Sequence, residues 1–132
     1  MPCRVLCRLI CGWAGADYGV WGKGVLEAID YKTGKIRWSH ELGNGGSGAG
    51  VLTTDSGLAF TGDGHGNILV LDTTDGKTLW HAGLGAGMQS SPITYMLDGR
   101  QYVVTGAGGV LFAWVLPQSD TKSDLAAKSS SQ

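Results

Sequence analysis

The sequence predicts an all-β repeat fold: an incomplete β-propeller of about two to two and a half four-stranded antiparallel blades. Three observations predict it. One motif recurs at a fixed spacing, short apolar runs alternate with turn residues, and 23 glycines stand against 3 prolines in 132 residues. Average usage would give roughly nine glycines in this length, and these lie between apolar runs, where turns belong.

The recurring motif carries the argument. Ala28-Ile29-Asp30-Tyr31-Lys32-Thr33-Gly34-Lys35-Ile36-Arg37-Trp38 is answered 42 residues later by Val70-Leu71-Asp72-Thr73-Thr74-Asp75-Gly76-Lys77-Thr78-Leu79-Trp80. Such a period marks a repeat whose units bury their apolar faces only by stacking. A third copy starts at Val110-Leu111-Phe112-Ala113-Trp114, on the same spacing of 42, but the Gly-Lys-x-x-Trp half never follows. Upstream, Leu58-Ala59-Phe60-Thr61-Gly62 matches Tyr102-Val103-Val104-Thr105-Gly106 by type at a spacing of 44, which implies a connecting loop shortened by two residues.

Each element follows from local pattern. Val25 to Asp30 and Lys35 to His40 read as strands around a Lys32-Thr33-Gly34 turn. Leu42 to Gly50, with five glycines, reads as a loop. Val51–Thr54 and Leu58–Thr61 flank an Asp-Ser-Gly turn; 67–72 and 77–81 flank Thr74-Asp75-Gly76. Ser91 to Met96 and Gln101 to Thr105 flank Asp98-Gly99, a pair suited to positive φ, and Val110 to Leu116 is the last strand. The repeats thus occupy residues 18–117, with 1–17 outside them and a polar tail at 118–132 expected to be disordered.

Several function classes fall away. A formal charge of −1 with interspersed signs lacks the basic stripe of a nucleic-acid binder. No apolar run of about eighteen residues supplies a membrane span. Cys3, Cys7 and Cys11 match no zinc or haem spacing, and no histidine stands near them. The first residues read as a weak secretory signal ending in Ala14-Gly15-Ala16, its apolar stretch broken by Arg8, or, preferred here because the repeat pattern starts only near Val20, as a spurious start.

Every member of the motif has a structural task. Trp38 and Trp80 can each bury on the order of 200 Å² at a seam between blades. Asp30 and Asp72 stand before a turn whose amides a carboxylate can accept, and Gly34 and Gly76 permit positive φ there.

These residues carry a resemblance. Ala-x-Asp-x-x-Thr-Gly-Lys-x-x-Trp, complete at Ala28, Asp30, Thr33, Gly34, Lys35 and Trp38, resembles the tryptophan-docking motif of the quinoprotein alcohol dehydrogenases, eight-bladed propellers that use pyrroloquinoline quinone (PQQ). The second copy departs at Val70 and Asp75. The segment from Gly50 to Gly62 resembles that family's Gly-x-Leu-x-Thr-x-x-Gly-Leu-x-Phe-x-Gly; Ser91 to Tyr95 with Asp98 to Tyr102 resembles its late strand pair. The resemblance implies the C-terminal part of a periplasmic dehydrogenase oxidising an alcohol or sugar. Its quinone is held by calcium, and electrons pass to a cytochrome or membrane quinone. It places the catalytic aspartate, the paired cysteines and the main calcium ligands in earlier blades, so the chain alone is expected to be inactive, its partners being the remaining blades. Where many members have Trp-Gly-Gly covering the quinone, this chain has Gly48-Ala49-Gly50. Those three and Asn44 are the cofactor-facing candidates. No catalytic or metal-ligating residue is assigned.

Other candidates have plainer readings. Gly62 to Asn67 lacks the spaced carboxylates of a calcium loop and reads as a hairpin tip. His40 and His81 read as ordinary strand residues. A second functional class stays open: a non-catalytic propeller scaffold for protein partners, of the outer-membrane assembly lipoprotein type.

Overall fold

A computed structural model describes residues 5–10, 23–44 and 47–115. The cleavage-like 14–16 segment, Cys3, Cys11 and the 118–132 tail lie outside them. Ten strands form three antiparallel sheets: β1 (Val5–Ile10), β2 (Lys23–Asp30) and β3 (Ile36–Asn44); then β4 (Leu52–Thr53), β5 (Leu58–Gly62), β6 (Asn67–Asp72) and β7 (Thr78–Gly83); then β8 (Ile93–Leu97), β9 (Arg100–Ala107) and β10 (Val110–Val115). Among the described residues there is no helix long and apolar enough to cross a membrane.

The sheets stack face on face. In β6, Leu69 and Leu71 pack with Leu26, Ala28, Trp38 and Leu42 of the first sheet. Ile68 and Val70 pack with Val103 and Ala107 of the last sheet and with Met88 beside it. This explains why β6 reads as a continuous apolar run. A strand covered on both faces has no polar side to show.

The structure departs from the sequence reading at four places. β3 runs on to Asn44, through residues read as loop, because Lys23 and Gly24 pair with Asn44 and Gly43. A glycine in an edge strand costs conformational entropy but forfeits no ladder bond. Val5–Ile10, read as lying outside the repeats, pairs with β2 from Val5↔Asp30 to Ile10↔Val25. Only the middle sheet has four strands; its neighbours have three each among the described residues.

The fourth departure concerns register. Leu58 pairs with Asp72 in the middle sheet, and the matching Tyr102 pairs with Val115 in the last. Asp72 therefore corresponds to Val115, a spacing of 43, and the connecting loop is one residue shorter rather than two. The burial pattern agrees. Phe112 and Trp114, like Leu69 and Leu71, are the residues turned toward the preceding sheet.

Both full copies carry the same irregularity beside the tryptophan. Pairing steps from Ala28↔Trp38 to Ile29↔Ile36, and from Val70↔Trp80 to Leu71↔Thr78. Each leaves one extra residue, Arg37 or Leu79, in the outer strand. Such bulges bend a strand and re-aim its side chains.

Candidate functional site

The motif builds two equivalent turns. Gly34 N–H donates to the Asp30 carbonyl at 2.7 Å and Gly76 N–H to the Asp72 carbonyl at 2.9 Å. The carboxylates accept turn amides as well: Asp30 from Lys32 at 2.9 Å and Thr33 at 3.2 Å, Asp72 from Thr74 at 2.7 Å. Both glycines hold positive φ, +68° and +74°. An L side chain there would cost about 1–2 kcal/mol.

Across the first seam, the tryptophan of one copy sits on the turn of the next. Trp38 is only 8% exposed, and its indole N–H donates to the Thr73 carbonyl at 2.9 Å. Its ring lies so close over Gly76 that an added Cβ would stand 2.5 Å from a ring carbon. Glycine is needed at that position twice over, for φ and for the ring. Asp75, the departure in the second copy, pairs with Lys77 at 2.8 Å on the exposed side of the turn.

The second seam is built differently. Trp80 stays 44% exposed and meets Trp114 edge-on, the ring centroids 5.3 Å apart. Trp114 donates to the Thr105 hydroxyl at 3.2 Å and stacks near Phe112.

The cofactor-facing candidates fall into different environments. Gly48 is exposed. Ala49 turns its methyl into the core beside Phe60 and Met88, and its N–H is held by the buried Ser47 hydroxyl at 3.0 Å. Gly50 lies against Ser91, where a Cβ would overlap the hydroxyl, and its carbonyl accepts from Thr61. Asn44 ends β3 opposite Lys23, its side chain outside the described residues. The planar, polyanionic PQQ would need a ring face and cations. Residues 47–50 offer neither, so they do not fit the quinone by themselves. Among the described residues no group of three or more His, Cys, Asp or Glu could hold a metal ion.

One gathering of side chains was not legible in the sequence. His40, His65 and His81 line a cleft of about 510 Å³ at the end of the first seam, with Glu41 and Asp63. The His65 ring lies against Gly43, where a Cβ would meet it at 2.5 Å. Asp63 accepts from His65 N–H at 2.9 Å, from Asn67 N–H at 2.8 Å and from the Asn67 amide at 2.7 Å. Burial raises the Asp63 carboxyl pKa, but these bonds outweigh it and hold the group below the usual carboxylate range. Its oxygens thus serve the hairpin tip. Sheet stacking brings these histidines together, and no spacing rule announces it.

A model of the PQQ_2 family, described as outer membrane protein assembly factor BamB, matches residues 22–117. The chain belongs to that family. Among relatives of this PQQ_2 chain, the quinoprotein alcohol dehydrogenase PedE of Pseudomonas putida is 43% identical over 93 residues, which cover 69% of the chain and 15% of PedE. The quinohemoprotein alcohol dehydrogenase of Comamonas testosteroni superposes with a TM-score of 0.62 at 37% identity, over 66% of the PQQ_2 chain and 13% of the enzyme. BamB from Moraxella catarrhalis superposes with a TM-score of 0.55 at 25% identity, over 82% and 38% of the respective chains. The PQQ_2 chain therefore spans about a seventh of the curated dehydrogenase it matches. Its all-β stack is the propeller architecture that the sequence predicts.

Proposed function

We propose that this chain forms C-terminal blades of a PQQ-dependent dehydrogenase that oxidises an alcohol or sugar in the periplasm. It supplies wall and seams to a ring whose quinone, calcium and catalytic residues are held by other blades. The observation that carries this reading is the 43% identity to a quinoprotein alcohol dehydrogenase over the stacked sheets. The complete ring's electron acceptor is a cytochrome or a membrane quinone. Within this chain the task is mechanical. Trp38 on Gly76 sets the spacing of two sheets, and bare apolar surface waits for neighbours.

Complementation tests the proposal. A quinoprotein alcohol dehydrogenase lacking the matching 93-residue stretch is mixed with this chain, PQQ and calcium, and dye-linked alcohol oxidation is followed. Turnover is expected from the mixture and from neither part alone. Turnover by the isolated chain, or a mixture no better than the truncated enzyme, overturns the reading.

A second reading, a non-catalytic scaffold, draws on the likeness to BamB and on Gly48-Ala49-Gly50 standing where an aromatic cover belongs. A ring assembled with this chain that gains no thermal stability from PQQ favours it.

A further inference from the structure

We propose that Asp98-Gly99, the tip of the β8–β9 hairpin, is a self-modifying site, where the backbone closes to a succinimide and reopens as isoaspartate. The proposal concerns the folded chain alone and rests on neither functional reading above. It starts from a comparison within the sequence. Aspartate is followed by glycine three times, at Asp63-Gly64, Asp75-Gly76 and Asp98-Gly99. Glycine hinders least the attack of its own amide nitrogen on the preceding side chain, because it carries no Cβ. In an unfolded chain the three pairs would react alike. The fold makes them unequal.

Two pairs are locked at both reacting groups. Asp63 commits one carboxylate oxygen to the N–H groups of His65 and Asn67 and the other to the Asn67 amide, while the Gly64 N–H donates to the Leu42 carbonyl at 2.9 Å. Asp75 accepts the Lys77 N–H at 3.0 Å and pairs with its ammonium at 2.8 Å. Beside it the Gly76 N–H donates to the Asp72 carbonyl at 2.9 Å, beneath the Trp38 ring. Ring closure at either pair must first break these bonds.

Asp98-Gly99 differs in every respect. Strand pairing closes at Leu97↔Arg100, so these two residues alone make the turn, at φ +50° and +73°. Neither the Asp98 carboxyl nor the Gly99 N–H has a hydrogen bond or ion pair among the described residues. Both residues are exposed, and a Cβ added at Gly99 would meet nothing within 4 Å.

The step needs only water. The Gly99 nitrogen bonds to Asp98 Cγ, the Cγ–OH bond breaks, and the hydroxyl leaves with the amide proton as water. Water then adds to the ring carbonyl that came from the Asp98 backbone, and the bond from that carbon to nitrogen breaks. The main chain now runs through Cγ, with the former backbone carbonyl carbon as a free carboxylate. Mass is unchanged, and nothing is oxidised or reduced. The turn has gained one main-chain atom, which a two-residue connection absorbs only by loosening. The stack of Tyr95 on Tyr102, two pairs further in, is the first ring contact in its path.

The test ages the full chain at one mildly acidic pH, folded and in concentrated urea, and locates isoaspartate by peptide mapping with electron-transfer fragmentation. In the folded chain, residue 98 is expected to exceed residues 63 and 75 at least tenfold, the scale of the bonds that hold those two. In urea the three should converge. Asp98→Asn keeps a side chain tolerated at positive φ and should pass through the same ring faster, read as a gain in mass in the peptide carrying residue 98. Asn44-Gly45 would give such a gain in a different peptide. Asp98→Glu, whose ring would be six-membered, should leave the peptide unchanged. Equal yields at the three sites of the folded chain overturn the proposal, because the hydrogen bonds then protect nothing. A folded yield at residue 98 at least tenfold below its yield in urea also overturns it, because the turn itself then protects.

Discussion

The two seams of this molecule are built from the same tryptophan and end differently. At the first, Trp38 finds a glycine turn and a carbonyl and is 8% exposed; at the second, Trp80 meets the edge of Trp114 and is 44% exposed. The difference teaches what the motif is for. Neither the tryptophan nor the glycine does its work within its own copy. The unit of function is the contact between one copy's strand and the next copy's turn.

The comparison breaks most visibly at the tryptophans. Trp38→Ala is expected to cost about 3–5 kcal/mol, as large core truncations do. Trp80→Ala should cost about 1 kcal/mol, the scale of one aromatic pair. Urea unfolding of both variants measures the gap, and equal losses would mean that the seams are energetically alike. The glycines sharpen the same contrast from the other side. Gly34→Val adds a side chain at positive φ with nothing within 4 Å, so about 1–2 kcal/mol is expected. Gly76→Val adds collision with the Trp38 ring and should lose about 2 kcal/mol more. Thermal melts of the pair test this.

Smaller effects isolate single bonds. Trp38→Phe keeps a ring over Gly76 but leaves the buried Thr73 carbonyl without its donor, for an expected loss of about 1–3 kcal/mol. Trp80→Phe, with no such bond to lose among the described residues, should change stability by less. The smallest effect lies at the end of the first seam. Because the Asp63 pKa is lowered on folding, its contribution is present above the ordinary carboxylate value of about 3.9 and is lost as pH falls through the lower folded value. In denaturation midpoints followed from pH 7 to 2, Asp63→Asn should remove under about 1 kcal/mol of that acid-dependent loss, a size set by solvent screening.

Much of the fold was legible in the sequence because repetition and burial leave marks at fixed spacing. The apolar run of β6 announced a strand, though not its burial on both faces, and Asp98-Gly99 announced the hairpin between β8 and β9, with Asp98 at φ +50°. What escaped has physical reasons. β3 extends over Gly43 because a partner strand holds its backbone there, which no side-chain pattern records. The shift to a spacing of 43 was hidden because the third copy lost its aspartate, the landmark that would have fixed the register. Trp38 and Gly76 were both visible as motif members, but spacing does not say that residues of different copies touch. The three-histidine cleft draws on β3, the β5–β6 hairpin and β7, and it exists only once the sheets have stacked.

The middle sheet is the only one clad on both sides by described neighbours, and its strands β5 and β6 are almost wholly buried. In a linear array, each layer's lifetime depends on the layers touching it. This chain should therefore come apart like a zipper opened from both ends, its last layer first because the half-exposed Trp80 anchors it less firmly than the buried Trp38 anchors the first seam. The amides of Ala59 and Leu71 should be the last to trade their protons for solvent deuterium.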